Sequence, residues 1–200
     1  MGSLEEGRQV DKGRLEAFSD GVIAILITIM VLELRIPQGS DWEALRPLLP
    51  ILMTYVLSFV FLGIYWNNHH HMLQATEQIN GKVLWANLHL LFWLSLVPFG
   101  TGWMGENHFA PLPTAFYGVV LLMAAVAYTI LQAVILQEQG TDSKLAAAVG
   151  KDTKGKLSMM LYLVAIPSAF ANRWIAAGIY VLVALIWLIP DPRIESKLKE

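Results

Sequence analysis

The chain has 200 residues, 56% of them hydrophobic and 15% charged, with a net charge of −2 and a mean hydropathy of +0.52. Soluble domains carry about 25% charged residues, so this composition belongs to an integral membrane protein, and a charge so close to neutral offers no footing to a nucleic acid. There is no cysteine, which excludes disulfides and thiol chemistry.

The opening stretch "MGSLEEGRQVDKGR" is too acidic and too long for a signal-peptide n-region. No small-residue cleavage pattern follows the first apolar run, so that run is expected to stay in the mature protein. A helix needs about 20 apolar residues to cross hydrocarbon, and six candidate segments run through the chain, at 15–36, 48–66, 83–101, 114–137, 157–171 and 174–189. The fifth is short and contains Pro167. Polar connectors rich in Gly and Pro, such as "IPQGSDWEALRP" and "TGWMGENHFAPLP", separate them. The expected fold is therefore an all-α integral membrane protein with six transmembrane helices. It forms a single domain over 1–200, with 1–13 and 190–200 as cytoplasmic tails.

Six spans place Arg8, Lys12, Arg14, Lys82, Lys144, Lys151, Lys154, Lys156, Arg193, Lys197 and Lys199 on one side, and Arg35, Arg46 and Arg173 on the other. That asymmetry puts both termini in the cytoplasm. Trp42, Trp66, Trp103, Trp174 and Trp187 near span ends read as interfacial anchors. The lysines from Lys144 to Lys156 read as an orienting loop in contact with anionic lipid. Glu33 and Arg35 form either a cation-attracting rim or a solvated helix end.

The first span, "RLEAFSDGVIAILITIMVLEL", carries the most information. At 100° per residue, Arg14, Phe18, Gly21, Ile25, Ile29 and Leu32 fall on one stripe with Thr28 at its edge, while Ser19 and Asp20 point elsewhere. The spacing also suits an ordinary buried helix. Asp20 makes a sharper demand, because a carboxylate one turn inside a span must find donors. The second and third spans present "YWNNHHHMLQ" and "NGKVLWANLH" at the same depth. Asn67, Asn68, His69, His70, His71, Trp85, Asn87 and His89 are thus the candidate partners in a network locking the first helix to its neighbours.

Three other functions compete, one of them a non-transporting assembly protein, which predicts no ion flux at all. A metalloenzyme needs ligands that can reach one ion, but three consecutive histidines on a helix fan apart, no His-Glu-x-x-His pattern occurs, and His108 falls on the other side. No metal, cofactor or enzymatic activity is expected. A secondary transporter of a small cation or solute is the nearer rival, although such folds show paired repeats and interrupted helices and no internal repeat is visible here.

The stretch "RLEAFSDGVIAILIT" resembles the Arg-x-x-x-Phe-Ser-Asp signature of the family containing the lysosomal potassium channel transmembrane protein 175 and its shorter bacterial and archaeal relatives. Arg14, Phe18, Ser19 and Asp20 carry the match. The resemblance implies a potassium-permeable channel without a carbonyl filter, whose first helices surround a pore on a four-fold axis. It implies a hydrophobic constriction at Ile25, a selectivity-associated threonine at Thr28, and a continuation of the wall through Ile29 and Leu32. One copy of the signature, where the animal channel has two, implies a homotetramer in a prokaryotic inner or plasma membrane, touching lipid and permeant K⁺. In keeping with this, the chain has no Thr-Val-Gly-Tyr-Gly loop. An isoleucine neck selects only by the ease of shedding water, so the preference for K⁺ over Na⁺ is expected to be modest.

Overall fold

In this computed structural model the described residues are 12–76, 79–139 and 152–188. They form helices with no strand among them. The tails and most of the connector that holds Lys144 lie outside the described residues.

Helix α1 (Lys12–Leu32) is the first span. It stops four residues short of the predicted end because Glu33 and Arg35 break the apolar run and Pro37 disfavours helical backbone in the residue before it. A short helix α2 (Trp42–Leu45) follows, capped by the Asp41 side chain, which accepts from the Ala44 N–H at 3.0 Å. A single 3₁₀ turn (Arg46–Leu48) leads into α3 (Leu49–Gln74). At 26 residues α3 runs eight residues beyond the predicted boundary at Trp66. The polar run "YWNNHHHMLQ" is therefore helical, because nothing in it breaks a helix and its buried His69 bonds through Nε2 to Asn87, although Nδ1 of His69 and of His71 has no partner among the described residues.

The third span is two helices. Asn80 caps α4 (Gly81–Ser95) by accepting from the N–H groups of Lys82 and Val83. The chain then breaks at Leu96 and restarts as α5 (Val97–Glu106), because Pro98 has no N–H to continue the ladder. Helix α6 (Pro111–Gln139) begins on a proline, which fits the first helical position. Asp152 caps α7 (Thr153–Ala171), accepting from Gly155 N–H at 2.9 Å. Pro167 sits inside α7, and α8 (Arg173–Leu188) closes the described fold. The α1, α2–α3, α4–α5 and α6 segments are long and apolar enough to cross a membrane, whereas α8 is apolar but shorter.

Helix α6 is the hub. It packs against α4, α5, α7 and α8, while α1 lies at the edge against α3, α4 and α5. Tyr117, Leu121, Ala124, Ala127, Leu131 and Ile135 of α6 are buried, and small residues such as these alanines allow neighbouring helices to approach closely in membrane bundles. Three hydroxyls tie α3, α5 and α6 together at depth: Ser58 Oγ lies 2.5 Å from Thr101 Oγ1 and 2.8 Å from the Tyr117 hydroxyl. Between α5 and α6, His108 and Phe109 adopt positive φ of 51° and 58°, an uncommon backbone for such residues. Burial of the Phe109 ring against Trp174, at 5.3 Å, and the bond from its N–H to the Met104 carbonyl offset that strain.

Gly105 is the tightest point of the α3–α5 contact, since an added Cβ would lie 2.7 Å from the Ile51 backbone and 2.6 Å from Thr54 Oγ1. Gly63 has nothing within 4 Å of such a carbon. Gly105→Ala is therefore expected to lower stability by about 1–3 kcal/mol, the cost of overpacking, and Gly63→Ala, inside α3 and free of clashes, to raise it by up to about 1 kcal/mol. Thermal unfolding of the detergent-solubilised protein measures both.

Candidate pore-lining helix and its polar anchor

The two faces of α1 differ sharply. Leu15, Ser19, Ile23, Leu26 and Met30 are buried, with Ile23 only 1% and Met30 2% exposed. Arg14, Phe18, Gly21, Thr28 and Ile29 are exposed, and so are Ile25 at 57% and Leu32 at 82%. No other described part of the chain covers the predicted stripe. Its spacing thus belongs to the outward face, and the packing face is the neighbouring set that starts at Leu15.

The Thr28 hydroxyl donates to the Ile25 carbonyl of its own helix at 2.9 Å. Its proton is spent, and the oxygen of this exposed side chain keeps acceptor capacity.

Ser19 and Asp20 anchor this orientation from the other side. Ser19 Oγ donates to the Leu15 carbonyl and accepts from Asn87 Nδ2 at 2.9 Å. Asn87 Oδ1 lies 2.7 Å from His69 Nε2. All three residues are buried, so one unbroken chain links α1, α4 and α3. Asp20 Oδ1 accepts from Trp66 Nε1 at 3.0 Å. Of the predicted partners, Asn87 and His69 join the anchor through Ser19, and none of the eight donates to Asp20. The donor is Trp66, which the sequence places among the interfacial anchors; because α3 continues to Gln74, its indole lies two turns inside the helix.

The remaining candidates are occupied elsewhere or face outward. Asn68 Nδ2 donates to the Ile64 carbonyl, His70 stacks on Trp66 at 5.9 Å and meets His71 edge-on at 5.7 Å, and His89 Nε2 accepts from Trp93 at 3.0 Å. Asn67 and Trp85 are exposed. Arg14 forms no ion pair with a described residue. No group of three His, Asp or Glu side chains that could hold a metal occurs among the described residues.

Beyond the C-terminal end of α1, Arg35 pairs with Glu106 at 2.8 Å, and the Glu33 carboxylate lies against Gly102. These charges turn back onto α5 and tie the end of α1 to it. Partial burial, and secondarily the Glu106 carboxylate, push the Glu33 carboxyl above its ordinary value of 4.5. The hydroxyl cluster of Ser58, Thr101 and Tyr117 also reaches α1, since Thr101 Oγ1 lies 3.8 Å from Met30 Sδ. Sequence reasoning missed it, because three hydroxyls on three helices share no spacing.

Asn87→Ala should strand the buried Ser19 and His69 groups and destabilise the protein by about 1–3 kcal/mol per unpaired group; Trp85→Ala, at an exposed site, is the control. Trp66→Phe and Asp20→Ala should each reduce assembled protein. Because the folded state raises the Glu33 pKa, its ionised form opposes folding, a cost absent well below pH 4.5 and complete above the folded value. Glu33→Gln should therefore raise the unfolding midpoint slightly at neutral pH and leave it unchanged in acid. Unfolding curves and oligomer yields decide these cases.

A family model described as endosomal/lysosomal potassium channel TMEM175 matches residues 14–98, the region holding both the α1 stripe and its anchor. A potassium channel of Chryseobacterium sp. strain P1-3 is 57% identical over 189 residues, covering 94% of this chain and 98% of that protein. The crystal structure of a lysosomal potassium-selective channel TMEM175 homolog from Chamaesiphon minutus is similar with a TM-score of 0.77 and 29% identity, covering 90% of this chain and 98% of that one. The zebrafish endosomal/lysosomal proton channel TMEM175 is 26% identical over 142 residues, which is 67% of this chain and 26% of that protein. With identity of this level over nearly its whole length, the chain belongs to the TMEM175 family.

Proposed function

We propose that this protein is a potassium-permeable channel whose conduction path is lined by α1 from four copies of the chain. The observation that carries this reading is the uncovered stripe of Ile25, Thr28, Ile29 and Leu32 on a helix whose opposite face is fixed by buried polar bonds. One such helix cannot enclose a path, so copies must meet around an axis, and closed symmetry is the usual solution. The relation to two bacterial proteins named potassium channels supports the ion and the single-copy form.

In this reading Ile25 forms the dry neck and Thr28 places a ring of hydroxyl oxygens one turn outward. No carbonyl ring replaces the ion's water, so discrimination rests on partial dehydration. K⁺ sheds water more readily than Na⁺ and passes preferentially. Arg14, Phe18, Ser19 and Asp20 hold the helix in register. Among described residues, Lys12, Arg14, Lys82, Lys154 and Lys156 mark one end of the spans and Arg35, Arg46 and Arg173 the other, which supports a cytoplasmic side for both termini. The membrane is a prokaryotic inner or plasma membrane, and residues 1–13 and 190–200 form the cytoplasmic tails of a single channel domain. A transporter of a small cation or solute remains the competing mechanism.

Purified protein in liposomes should pass K⁺ down its gradient without a coupled ion, and Na⁺ less readily. H⁺ flux belongs in the same assay, since the animal relatives are named proton channels. Flux that requires a second ion gradient would establish the transporter instead. Ile25→Asn should wet the neck, raise conductance and move the bi-ionic K⁺/Na⁺ reversal potential toward zero. Thr28→Val keeps the shape and removes the oxygen; if that oxygen contributes like a neutral hydrogen bond, about 0.5–1.5 kcal/mol, the permeability ratio falls roughly two- to twelvefold. Unchanged reversal potentials in well-assembled variants at both sites would remove the stripe from the selective path.

A further inference from the structure

Away from α1, the helices α3, α6, α7 and α8 enclose a cavity of about 40 Å³ that is partly open to the outside. Its wall is aromatic, built from Phe61, Tyr65, Tyr128, Tyr162 and Trp187, with Asp152 at the start of α7 supplying one carboxylate. Tyr65 and Tyr128 meet edge-on at 6.2 Å, and Phe61 tilts against Tyr162 at 6.5 Å. Several polar groups of the wall are already satisfied. Trp187 Nε1 donates to Ser158 Oγ at 2.9 Å, the Tyr128 hydroxyl to the Asn68 carbonyl at 3.3 Å, and Thr129 to Ala125. The hydroxyls of Tyr65 and Tyr162 have no hydrogen-bond partner among the described residues, although the Tyr162 side chain is 2% exposed. Neither Lys154 nor Lys156, in the same turn as Asp152, lines the space.

We propose that this cavity binds a primary ammonium group, carried by a soluble alkylamine or by a lipid headgroup. A space of this volume holds about one water-sized group, which an ammonium matches. The ring faces attract a cation, and the Asp152 carboxylate adds attraction of the same sign. The two unpaired phenol oxygens accept its N–H bonds, while an apolar tail leaves through the opening. An anion meets the carboxylate and the negative ring faces, and an alcohol gains nothing from either.

The test titrates the full-length protein in detergent with n-butylammonium and, in parallel, n-butanol, following the thermal unfolding midpoint. Butylammonium should raise the midpoint saturably and butanol should not. Asp152→Asn keeps the helix cap, because asparagine caps as well as aspartate; Tyr65→Phe and Tyr162→Phe keep the rings. Each variant should weaken the amine by roughly tenfold, as expected for losing a bond to a charged group, with the ligand-free midpoint unchanged. A second arm repeats the titration in nanodiscs with and without phosphatidylethanolamine. A curve shifted to higher amine concentration by that lipid identifies the headgroup as occupant, and superimposable curves identify the soluble amine. Equal effects of amine and alcohol, no saturable effect in the parent protein, or unaltered affinity in all three variants would overturn the proposal. The last result would place amine binding elsewhere, the conduction path included.

Discussion

In hydrocarbon a polar group has no solvent to turn to, so a buried donor or acceptor strongly favours a partner within the protein. That constraint fixes α1. Ser19 can face only Asn87, Asn87 is held in turn by His69, and Asp20 takes the Trp66 indole. A rotation of α1 by one residue would carry Ser19 away from Asn87 and break the chain of bonds. The side left outside follows from that setting. Ile25, Thr28, Ile29 and Leu32 are uncovered because Ser19, Ile23, Leu26 and Met30 are committed inward.

The rest of the bundle holds the partners of α1 still. Helices α3, α4 and α5 make direct contact with it, and α6 fastens α4 and α5 from behind. The hydroxyl bonds among Ser58, Thr101 and Tyr117 lock α3, α5 and α6 at depth, and Gly105 lets α5 come close enough for its neighbour Thr101 to reach Ser58. At the two ends, Lys82 pairs with Glu138 at 2.9 Å and Arg35 with Glu106 at 2.8 Å. Bracing of this kind suits the proposed path, whose neck would be set by the separation of apolar side chains and whose width a small displacement would alter.

Much of the fold was legible in the sequence because apolar run length and Pro/Gly punctuation are local signals, and all six predicted spans appear as helices. The division of α1 was legible for the same reason: a period of 3.6 residues separates Leu15, Ser19, Ile23, Leu26 and Met30 from the stripe. What could not be read was pairing across helices. Trp66 has the look of an interfacial tryptophan until α3 is known to continue past it, and Ser58, Thr101 and Tyr117 lie far apart in sequence with no common spacing. The break at Leu96 could be traced to Pro98, but α5 as a separate helix needed the three-dimensional arrangement. The resemblance carried by "RLEAFSD" pointed to α1, and the hydrogen bonds of Ser19 and Asp20 give a physical reason for that motif.

The central claim is that the uncovered face of α1 meets water in the assembled protein and not lipid. The absence of cysteine makes this directly measurable. Single cysteines at Ile25, Leu32 and, on the packed face, Leu26 can be exposed to a charged, membrane-impermeant methanethiosulfonate while K⁺ current is recorded. The account predicts that Ile25→Cys and Leu32→Cys are modified and lose current, with the reaction slowed by high K⁺, and that Leu26→Cys is inert. Inert cysteines at both stripe positions in a conducting protein would show that lipid or a neighbouring helix covers this face, and would contradict the account.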